Sequence, residues 1–528
     1  MSRQIDDYVR RTTAGLMSRR EFFGRTSALG LSTAMAGSLL ATSVKAMGPN
    51  KGGVIKAGIQ GGESTNSLDP ALSASSVPSH NLTAFGDLLV EVSPEGEIVN
   101  RLAESVESSA DARTWHFHIR KGVEFHNGKT LTPDDVLKTM ERHSADDSQS
   151  GALGVMRGIE SMRTDGDIFS VTLSTPNADL VYLMADYHLV IQPGGGFDDP
   201  ASGIGCGPYV LEFDEPGVRH GFAKFANYWD DGRGHADQVE VVVLNDNTAR
   251  AAALQSGQVH YINRVDPKVA ELLGRAPNIN IESISGRGHY VFIMHNDTAP
   301  FDNNDLRLAL KYAIDREEMV DKILRGYGSV GNDTPINAAY PLYSDDLGQR
   351  AYDPEKAKFH YEKSGHDGSP IVLKVSEAAF PGAVDASQLF QQSAKRAGIP
   401  LQVERVPNDG YWSEVWNKEP FCASYWSGRP VQDQMFSTAY KSDADWNDTR
   451  FFRDDFDALL AQAKAELDLA KRKELYRQMS VMLRDEGGVI VPMFNDFIDA
   501  VSTSLGGWVG DPGGGSMFDG ALVKTWLL

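Results

Sequence analysis

Short apolar runs alternate with segments of helical periodicity along most of the chain. Residues 54–59 form an apolar run, and apolar and polar residues alternate from 115 to 119, which predicts a strand covered on one face. Apolar residues at helical spacing follow at 306–314, where Asp315 is placed to cap the next helix. The alternation of strand and helix signals indicates an α/β fold.

The segment 353–426 has the clearest order of elements. It predicts strand 371–376, helix 386–397, strand 401–406, helix 411–417 and strand 421–426. Strands linked through helices in this way pair in parallel. Two long helices are predicted at 456–467 and 470–485, and a short covered strand at 489–491 follows them.

These elements predict two α/β lobes joined by a hinge, with a cleft between the lobes. We expect the chain to cross between lobes near Asn296 and to return near Glu486. Lobe I then comprises 47–295 and 487–528, and lobe II comprises 296–486. Two crossings favour closure of the lobes over a ligand.

The first 46 residues have the pattern of a targeting segment. Arg19 and Arg20 precede an apolar pair, a weakly apolar stretch covers 26–44, and residues 44–46 have the small-x-small form of a cleavage site. A twin-arginine signal peptide is read by the Tat machinery, which exports folded proteins. The mature protein then begins near Met47 and is periplasmic. The alternative is an N-terminal transmembrane helix, which the glycines and hydroxyl groups of the stretch disfavour.

Charge and cysteine content narrow the function further. The chain has 51 Lys and Arg against 72 Asp and Glu, a formal net charge of −21. Such an acidic protein repels phosphate backbones and anionic lipids, so we expect no nucleic-acid or membrane partner. The two cysteines, Cys206 and Cys422, are too few for a disulfide scaffold or a zinc ribbon. They fall in different predicted lobes, and we expect two separate buried thiols.

The motifs of common catalytic and cofactor sites are missing from the sequence. There is no Gly-x-Ser-x-Gly nucleophile elbow, and the phosphate-loop-like string at 126–130 lacks its first glycine because Val123 stands there. His116, His118 and His126 make a metal site conceivable, but no second ligand cluster supports it. The sequence therefore predicts no enzyme, no metal and no cofactor.

Several blocks, in order, resemble the extracellular solute-binding proteins of family 5, the dipeptide, oligopeptide and nickel group. The matching blocks are 102–105, 115–128, 132–136, 205–209, Asn296 with 300–302, 307–310, 313–316 and 352–357. Cys206 stands where the family usually has threonine. The resemblance implies a two-lobed periplasmic-binding-protein fold of the class II type, with an extra subdomain at about 88–205 inside lobe I. It also implies delivery of a small ligand to an ABC permease and its ATPase, and we expect the binding protein itself to be a monomer.

Ligand contacts in similar proteins come from the end of a lobe II strand and from the loop after it. The candidate contacts in this chain are Trp426, Arg429, Asp433, Trp446, Asn447, Tyr411 and Trp412. Arg429 stands where peptide-binding members often carry an acid, which puts a plain dipeptide in doubt because an arginine fork suits a carboxylate or phosphate. For Trp412, packing in a helix core is the alternative.

The leading hypothesis is a periplasmic solute-binding protein that captures a small polar ligand of peptide, opine or sugar-conjugate type. Arg429 favours an anionic ligand. Two alternatives stay open. The first is a nickel-chelate or haem carrier of the same family, and the second is a periplasmic hydrolase.

Overall fold

The order of elements follows the predicted alternation of strands and helices. The computed structural model describes residues 49–528 apart from 74, 146, 408–410 and 445, and apart from the side chains of 154, 155, 412 and 413. The predicted signal peptide, 1–46, lies outside the described residues. The strands are β1 (Val54–Ile59), β2 (Val90–Val92), β3 (Ile98–Asn100), β4 (Ala103–Ser108), β5 (Thr114–Ile119), β6 (Ile159–Asp165), β7 (Ile168–Leu173), β8 (Tyr209–Glu215), β9 (Arg219–Lys224), β10 (Gln238–Val243), β11 (Tyr261–Ile262), β12 (Ile279–Met294), β13 (Gly328–Val330), β14 (Ile371–Val375), β15 (Leu401–Arg405), β16 (Phe421–Trp426), β17 (Val489–Ser502), β18 (Leu505–Gly506) and β19 (Trp526–Leu527). The helices are α1 (Ser76–Phe85), α2 (Pro133–Ser144), α3 (Leu153–Met156), α4 (Leu180–Leu183), α5 (Asn247–Gln255), α6 (Pro267–Leu273), α7 (Asn304–Ala313), α8 (Arg316–Lys322), α9 (Pro354–Ser364), α10 (Ala383–Arg396), α11 (Tyr411–Glu414), α12 (Gln432–Ala439), α13 (Asp454–Ala465), α14 (Leu469–Glu486) and α15 (Ala521–Lys524).

One large mixed sheet runs through the molecule. Its strands lie in the order β15-β14-β16-β12-β17-β11-β1-β10-β9-β8, with β13 added on β17. β14 pairs in parallel with both β15 and β16, which confirms the parallel sheet predicted for 371–426. At the other end, β1 pairs in parallel with β10 and β11. The two ends pack separate cores and are joined by β12 and β17, as in a two-lobed binding protein.

A smaller sheet, β4-β5-β7-β6, belongs to the first part of the chain. Trp115, Phe117 and Ile119 of β5 are buried and the residues between them are half-buried, so the predicted one-sided strand is confirmed. The following helix, α2, begins with a capping box. In it the Thr132 side chain accepts a hydrogen bond from the Asp135 backbone, and the Asp135 side chain accepts one from the Thr132 backbone.

Two strands are longer than the sequence predicts. β12 has 16 residues and β17 has 14, whereas the continuous apolar runs within them, 290–294 and 489–491, are much shorter. Gly286, Gly288 and Pro492 interrupt the apolar pattern, which hid the full length of both strands. The β12–β17 ladder continues through register shifts, one of which lies opposite Pro492.

Strand β12 begins in one core and ends in another. Ile279, at its start, packs with Leu254 and Leu273, whereas Phe292 and Met294, at its end, share a core with residues of lobe II. Both cysteines are buried and unpaired, which confirms two separate thiols. No helix in the described part of the chain is long and apolar enough to cross a membrane.

Candidate functional site

A cavity of about 440 Å³ lies between the lobe that contains β1 and the loop that follows β16. Its walls include the end of α1, residues 182–188, Arg287 of β12 and residues 427–430. Residues of the C-terminal segment, between 511 and 524, complete the lining. The volume lies within the range of small-molecule pockets, about 300–1,000 Å³.

Arg429, a predicted contact, lines this cavity. Its backbone N–H donates to the Tyr340 hydroxyl at 3.2 Å, and its Nη1 donates to the Gly428 carbonyl at 2.7 Å. The guanidinium carbon lies 5.8 Å from the ring centroid of Trp426. No carboxylate in the described ranges forms an ion pair with it. Burial lowers the pKa of Arg429, but an arginine stays charged in proteins, so the cavity contains a cation without a paired anion.

Arg287 is a cavity residue that the sequence reasoning missed. It lies where the β12–β17 ladder is irregular, and it is only 7% exposed. Its Nε donates to the Ala339 carbonyl at 3.0 Å, and its guanidinium carbon lies 5.4 Å from the ring centroid of Tyr340. Burial lowers the pKa of Arg287. The sequence signal that could have identified it is an arginine between two glycines shortly before the apolar run 290–294.

Gly428 brings the loop of Arg429 against the strand of Arg287. Its φ is +84°, a conformation that favours glycine, and a Cβ at this position would lie 2.4 Å from the Cβ of Arg287. Only a residue without a side chain allows this approach. The loop of Arg429 thereby lies against the β12 backbone at Arg287, and both arginines line the same cavity.

The acids that line the cavity are mostly bonded to protein groups. Glu91 accepts two hydrogen bonds of 2.6 Å from Arg233. Burial alone would raise the pKa of Glu91, but Arg233 lowers it to about 2. Asp186 accepts from Nδ1 of His188 at 2.6 Å. Asp511 attracts the guanidinium of Arg287 electrostatically, but it lies beyond ion-pair distance. Burial raises the pKa of Asp511.

A left-handed turn forms part of the cavity wall. Residues 516–519 all have φ between 54° and 57°, a conformation that costs roughly 1–2 kcal/mol per non-glycine residue. Asp499 of β17 accepts a 2.6 Å hydrogen bond from the first backbone N–H of the turn, and Thr83 donates to the carbonyl of Asp519 at 2.8 Å. Phe518 and Asp519 line the cavity. Strained backbone of this kind persists only where surrounding contacts hold it.

Trp426 and Trp446, two predicted contacts, form a cluster with Trp416. The ring centroid of Trp446 lies 6.0 Å from that of Trp416 and 6.0 Å from that of Trp426. Trp446 is 49% exposed and Trp426 is 5% exposed. Trp416 Nε1 donates to Asp448 at 3.0 Å, and burial raises the pKa of Asp448 to about 7. These indoles lie beside the arginine loop but outside the cavity lining, and their contact with a ligand stays a prediction.

Asp433 and Asn447 are buried and bonded to neighbouring protein atoms. Asp433 accepts from Ser437 at 2.9 Å and lies 3.3 Å from the ammonium of Lys464. Nδ2 of Asn447 donates to three backbone carbonyls, those of Tyr440, Lys441 and Phe451. Its Oδ1 accepts from Thr449 and from a backbone N–H. Neither residue lines the cavity, and for both a ligand contact stays a prediction.

Tyr411 is also buried, and its hydroxyl donates to the Ala423 carbonyl at 2.7 Å. Helix α11, which begins at this residue, ends at Glu414 rather than at Asn417 as predicted, because the chain then continues in turns. The side chain of Trp412 lies outside those described. The role of both residues stays a prediction.

Two of the three histidines considered as metal ligands, His116 and His126, have protein partners. His116 Nδ1 lies 2.9 Å from the Ser170 hydroxyl, and His126 Nε2 lies 3.0 Å from the Gly207 carbonyl oxygen. Burial lowers the pKa of His126. Within the described ranges, no group of three or more His, Cys, Asp or Glu residues has the geometry to hold a metal ion.

Comparisons with known proteins agree on one family. Residues 97–448 match the model of the bacterial extracellular solute-binding proteins, family 5. Haem-binding protein A of Haemophilus influenzae is 25% identical over 465 residues, which cover 81% of this chain and 84% of that protein. The dipeptide-binding protein of Escherichia coli is 25% identical over 492 residues, which cover 85% of this chain and 90% of that protein.

A solved structure shares the fold over almost its full length. The periplasmic binding protein AgaA of A. tumefaciens R10, in complex with agropinic acid, superimposes with a TM-score of 0.75 at 25% identity. The match covers 90% of this chain and 99% of AgaA. This chain belongs to the bacterial extracellular solute-binding proteins of family 5, periplasmic proteins that capture solutes for ABC importers.

Proposed function

We propose that this protein captures a small polar organic solute with an anionic group in the cavity between its lobes. It then delivers the solute, chemically unchanged, to an ABC permease and its ATPase. The observation that carries the proposal is the unpaired guanidinium of Arg429 in the cavity wall. A partly buried cation such as Arg429 attracts an anion more strongly than a fully exposed one, because water screens it less.

The ligands named for similar proteins support an organic solute. AgaA was solved with agropinic acid, which is an acid, whereas the names of other relatives refer to dipeptides and haem. The cavity of this chain contains more charged side chains than a flat haem would need, because the charge of the haem periphery is confined to its two propionates. We therefore rank an acidic solute above haem or a metal chelate.

The lobes close over the solute by bending at β12 and β17. We propose that the crossing lies at 286–288, where the β12–β17 register is irregular, so the boundary falls earlier than Asn296. The subdomain at 88–205 belongs to lobe I, and 296–486 to lobe II. The twin-arginine pattern supports export of the folded monomer by the Tat machinery, with residues 1–46 removed.

Native mass spectrometry of the mature protein, purified from cells grown in rich medium, tests the proposal. We expect an added mass that is lost on denaturation and that belongs to a small organic acid. A metal or haem mass would favour the carrier alternative. Conversion of the released compound during incubation with the protein would favour the hydrolase. A protein that retains no solute, and that binds none added later, would contradict capture itself.

A further inference from the structure

The buried guanidinium of Arg287 and the half-buried guanidinium of Arg429 face one cavity without an acid partner, and we infer that together they hold one carboxylate of the ligand. The inference rests on the proposed function and adds a residue of the hinge strand to the binding site. It assigns the acidic end of the ligand to the sheet side of the cavity, next to β12.

Each of the other buried arginines in the described ranges uses at least one terminal nitrogen to donate to a protein acceptor. Arg316 pairs with Asp333 at 2.6 Å. Arg250 has no acid but donates to six acceptors. Arg287 donates one described hydrogen bond, through Nε, so both terminal nitrogens lack a described protein acceptor. A buried charge without partners costs several kcal/mol, and an oxyanion in the cavity would remove this cost.

Both arginines are positioned by the same tyrosine. The Tyr340 hydroxyl accepts from the backbone of Arg429, and the Tyr340 ring lies beside the guanidinium of Arg287. Nη1 of Arg287 lies 3.6 Å from the place where a Cβ on Gly513 would stand, and Gly513 lines the cavity. The missing side chain at 513 leaves space beside this nitrogen. Asp511 Oδ1 lies 3.0 Å from the same point and accepts from the backbone N–H of Gly513 at 2.8 Å. A carboxylate there has room to accept from the fork of Arg287 and from Arg429.

The remaining cavity wall indicates the other end of the ligand. Asp186 and Asp519 line the cavity and offer carboxylate oxygens as acceptors. The side chains of Asp186 and Asp519 are 19% and 30% exposed. They suit hydroxyl or ammonium donors and repel a second anionic group. The ligand class is therefore a hydroxylated or amino-bearing carboxylic acid, and a singly charged carboxylate fits better than a doubly charged phosphate.

Isothermal titration of the mature protein with five probes tests this assignment. Agropinic acid, glutathione and gluconate carry carboxylates, and glucose 6-phosphate carries a phosphate. Glucose is the uncharged counterpart of gluconate and of glucose 6-phosphate. The variants are R287Q, R429Q and R287K, with R275Q as the matched control because Arg275 is exposed and paired with Glu271. We expect at least one carboxylate to bind, with a loss of about tenfold or more in R287Q and in R429Q and no change in R275Q. R287K, which keeps the charge but not the fork, should lose less.

Several outcomes would overturn the assignment. A carboxylate that binds R287Q as tightly as the unaltered protein removes Arg287 from the site while leaving capture through Arg429 intact. Stronger binding of glucose 6-phosphate than of every carboxylate shifts the ligand to a phosphate ester. If R287Q does not fold, R429Q and R287K decide the question. The assignment needs both arginines, so each of these variants must bind the carboxylate more weakly than the unaltered protein. Failure of every acid to bind at millimolar concentration, while a neutral solute is retained, also overturns it.

Discussion

At the scale of single residues, burial and hydrogen bonding separate side chains that the sequence presents as equivalent. Arg429 and Asn447 were both predictable as polar candidates from their position in the family pattern. In the structure the Arg429 guanidinium faces a cavity, whereas every side-chain hydrogen bond described for Asn447 goes to protein atoms. The sequence pattern shows which polar side chains are candidates for binding, but it does not show whether each one bonds to the protein or faces a ligand cavity.

Asn447 is expected to stabilise the fold rather than the ligand. N447A removes the bonds to three carbonyls and leaves them buried, so we expect the free energy of unfolding to fall by about 2–3 kcal/mol. Urea unfolding at constant pH measures this loss. N278A is the control, because Asn278 is exposed. If N447A instead keeps full stability and loses ligand affinity, Asn447 is a ligand contact after all.

At the scale of elements, the helices and the parallel strands were predictable because their signals are local. The capping box at Thr132 and the apolar strands of 371–426 each lie within a few residues. The full lengths of β12 and β17 were not predictable, because the glycines and Pro492 are tolerated only through bulges that depend on the partner strand. The left-handed turn at 516–519 likewise depends on Asp499, which lies in another element.

The acid that holds this turn should make stability depend on pH. Burial raises the pKa of Asp499 to about 7 in the folded protein, well above the usual value of about 4 in the unfolded chain. Between these values the folded state holds a proton that the unfolded state has lost, so stability falls as pH rises from about 4 to 7. D499N removes this contribution. Relative to the unaltered protein, we expect D499N to gain stability across that range, by at most about 1.4 kcal/mol per pH unit.

Urea unfolding at pH 5, 6 and 7 measures the difference. D198N, at an exposed aspartate, serves as the control and should follow the unaltered protein at every pH. A constant difference between D499N and the unaltered protein would mean that Asp499 is charged throughout this range. D448N provides an independent comparison, because the pKa of Asp448 is also raised to about 7 by burial.

At the scale of the whole molecule, the two-lobed fold could be predicted from sequence but the cavity could not. Its lining combines segments near 87, 186, 287, 429 and 519, and no local pattern relates positions so far apart. The same applies to a contact between residues 178–179 and residues 464–476, away from β12 and β17. Here the backbone N–H of Ala178 donates to the carbonyl of Lys464 at 2.7 Å, and the buried Asp179 pairs with Arg472 and accepts from Tyr476.

This contact is expected to hold the lobes closed. In the proposed division of the chain, Asp179 belongs to the subdomain of lobe I, whereas Arg472 and Tyr476 lie on α14 of lobe II, so opening the cleft would separate them. D179A leaves the buried Arg472 without its partner, which favours the open state, where water solvates the arginine. Because the ligand requires the closed state, its apparent affinity should fall by about tenfold or more. The radius of gyration of the ligand-free variant should also increase.

Small-angle X-ray scattering and titration with the solute found by native mass spectrometry measure both quantities. D165A is the control, because Asp165 lies in the same subdomain and is exposed. Urea unfolding separates a local effect from general destabilisation, since a mere folding defect would lower stability without changing the dimensions of the folded protein. If D179A keeps both the radius of gyration and the affinity of the unaltered protein, the contact does not control closure, and bending at β12 and β17 alone sets the equilibrium.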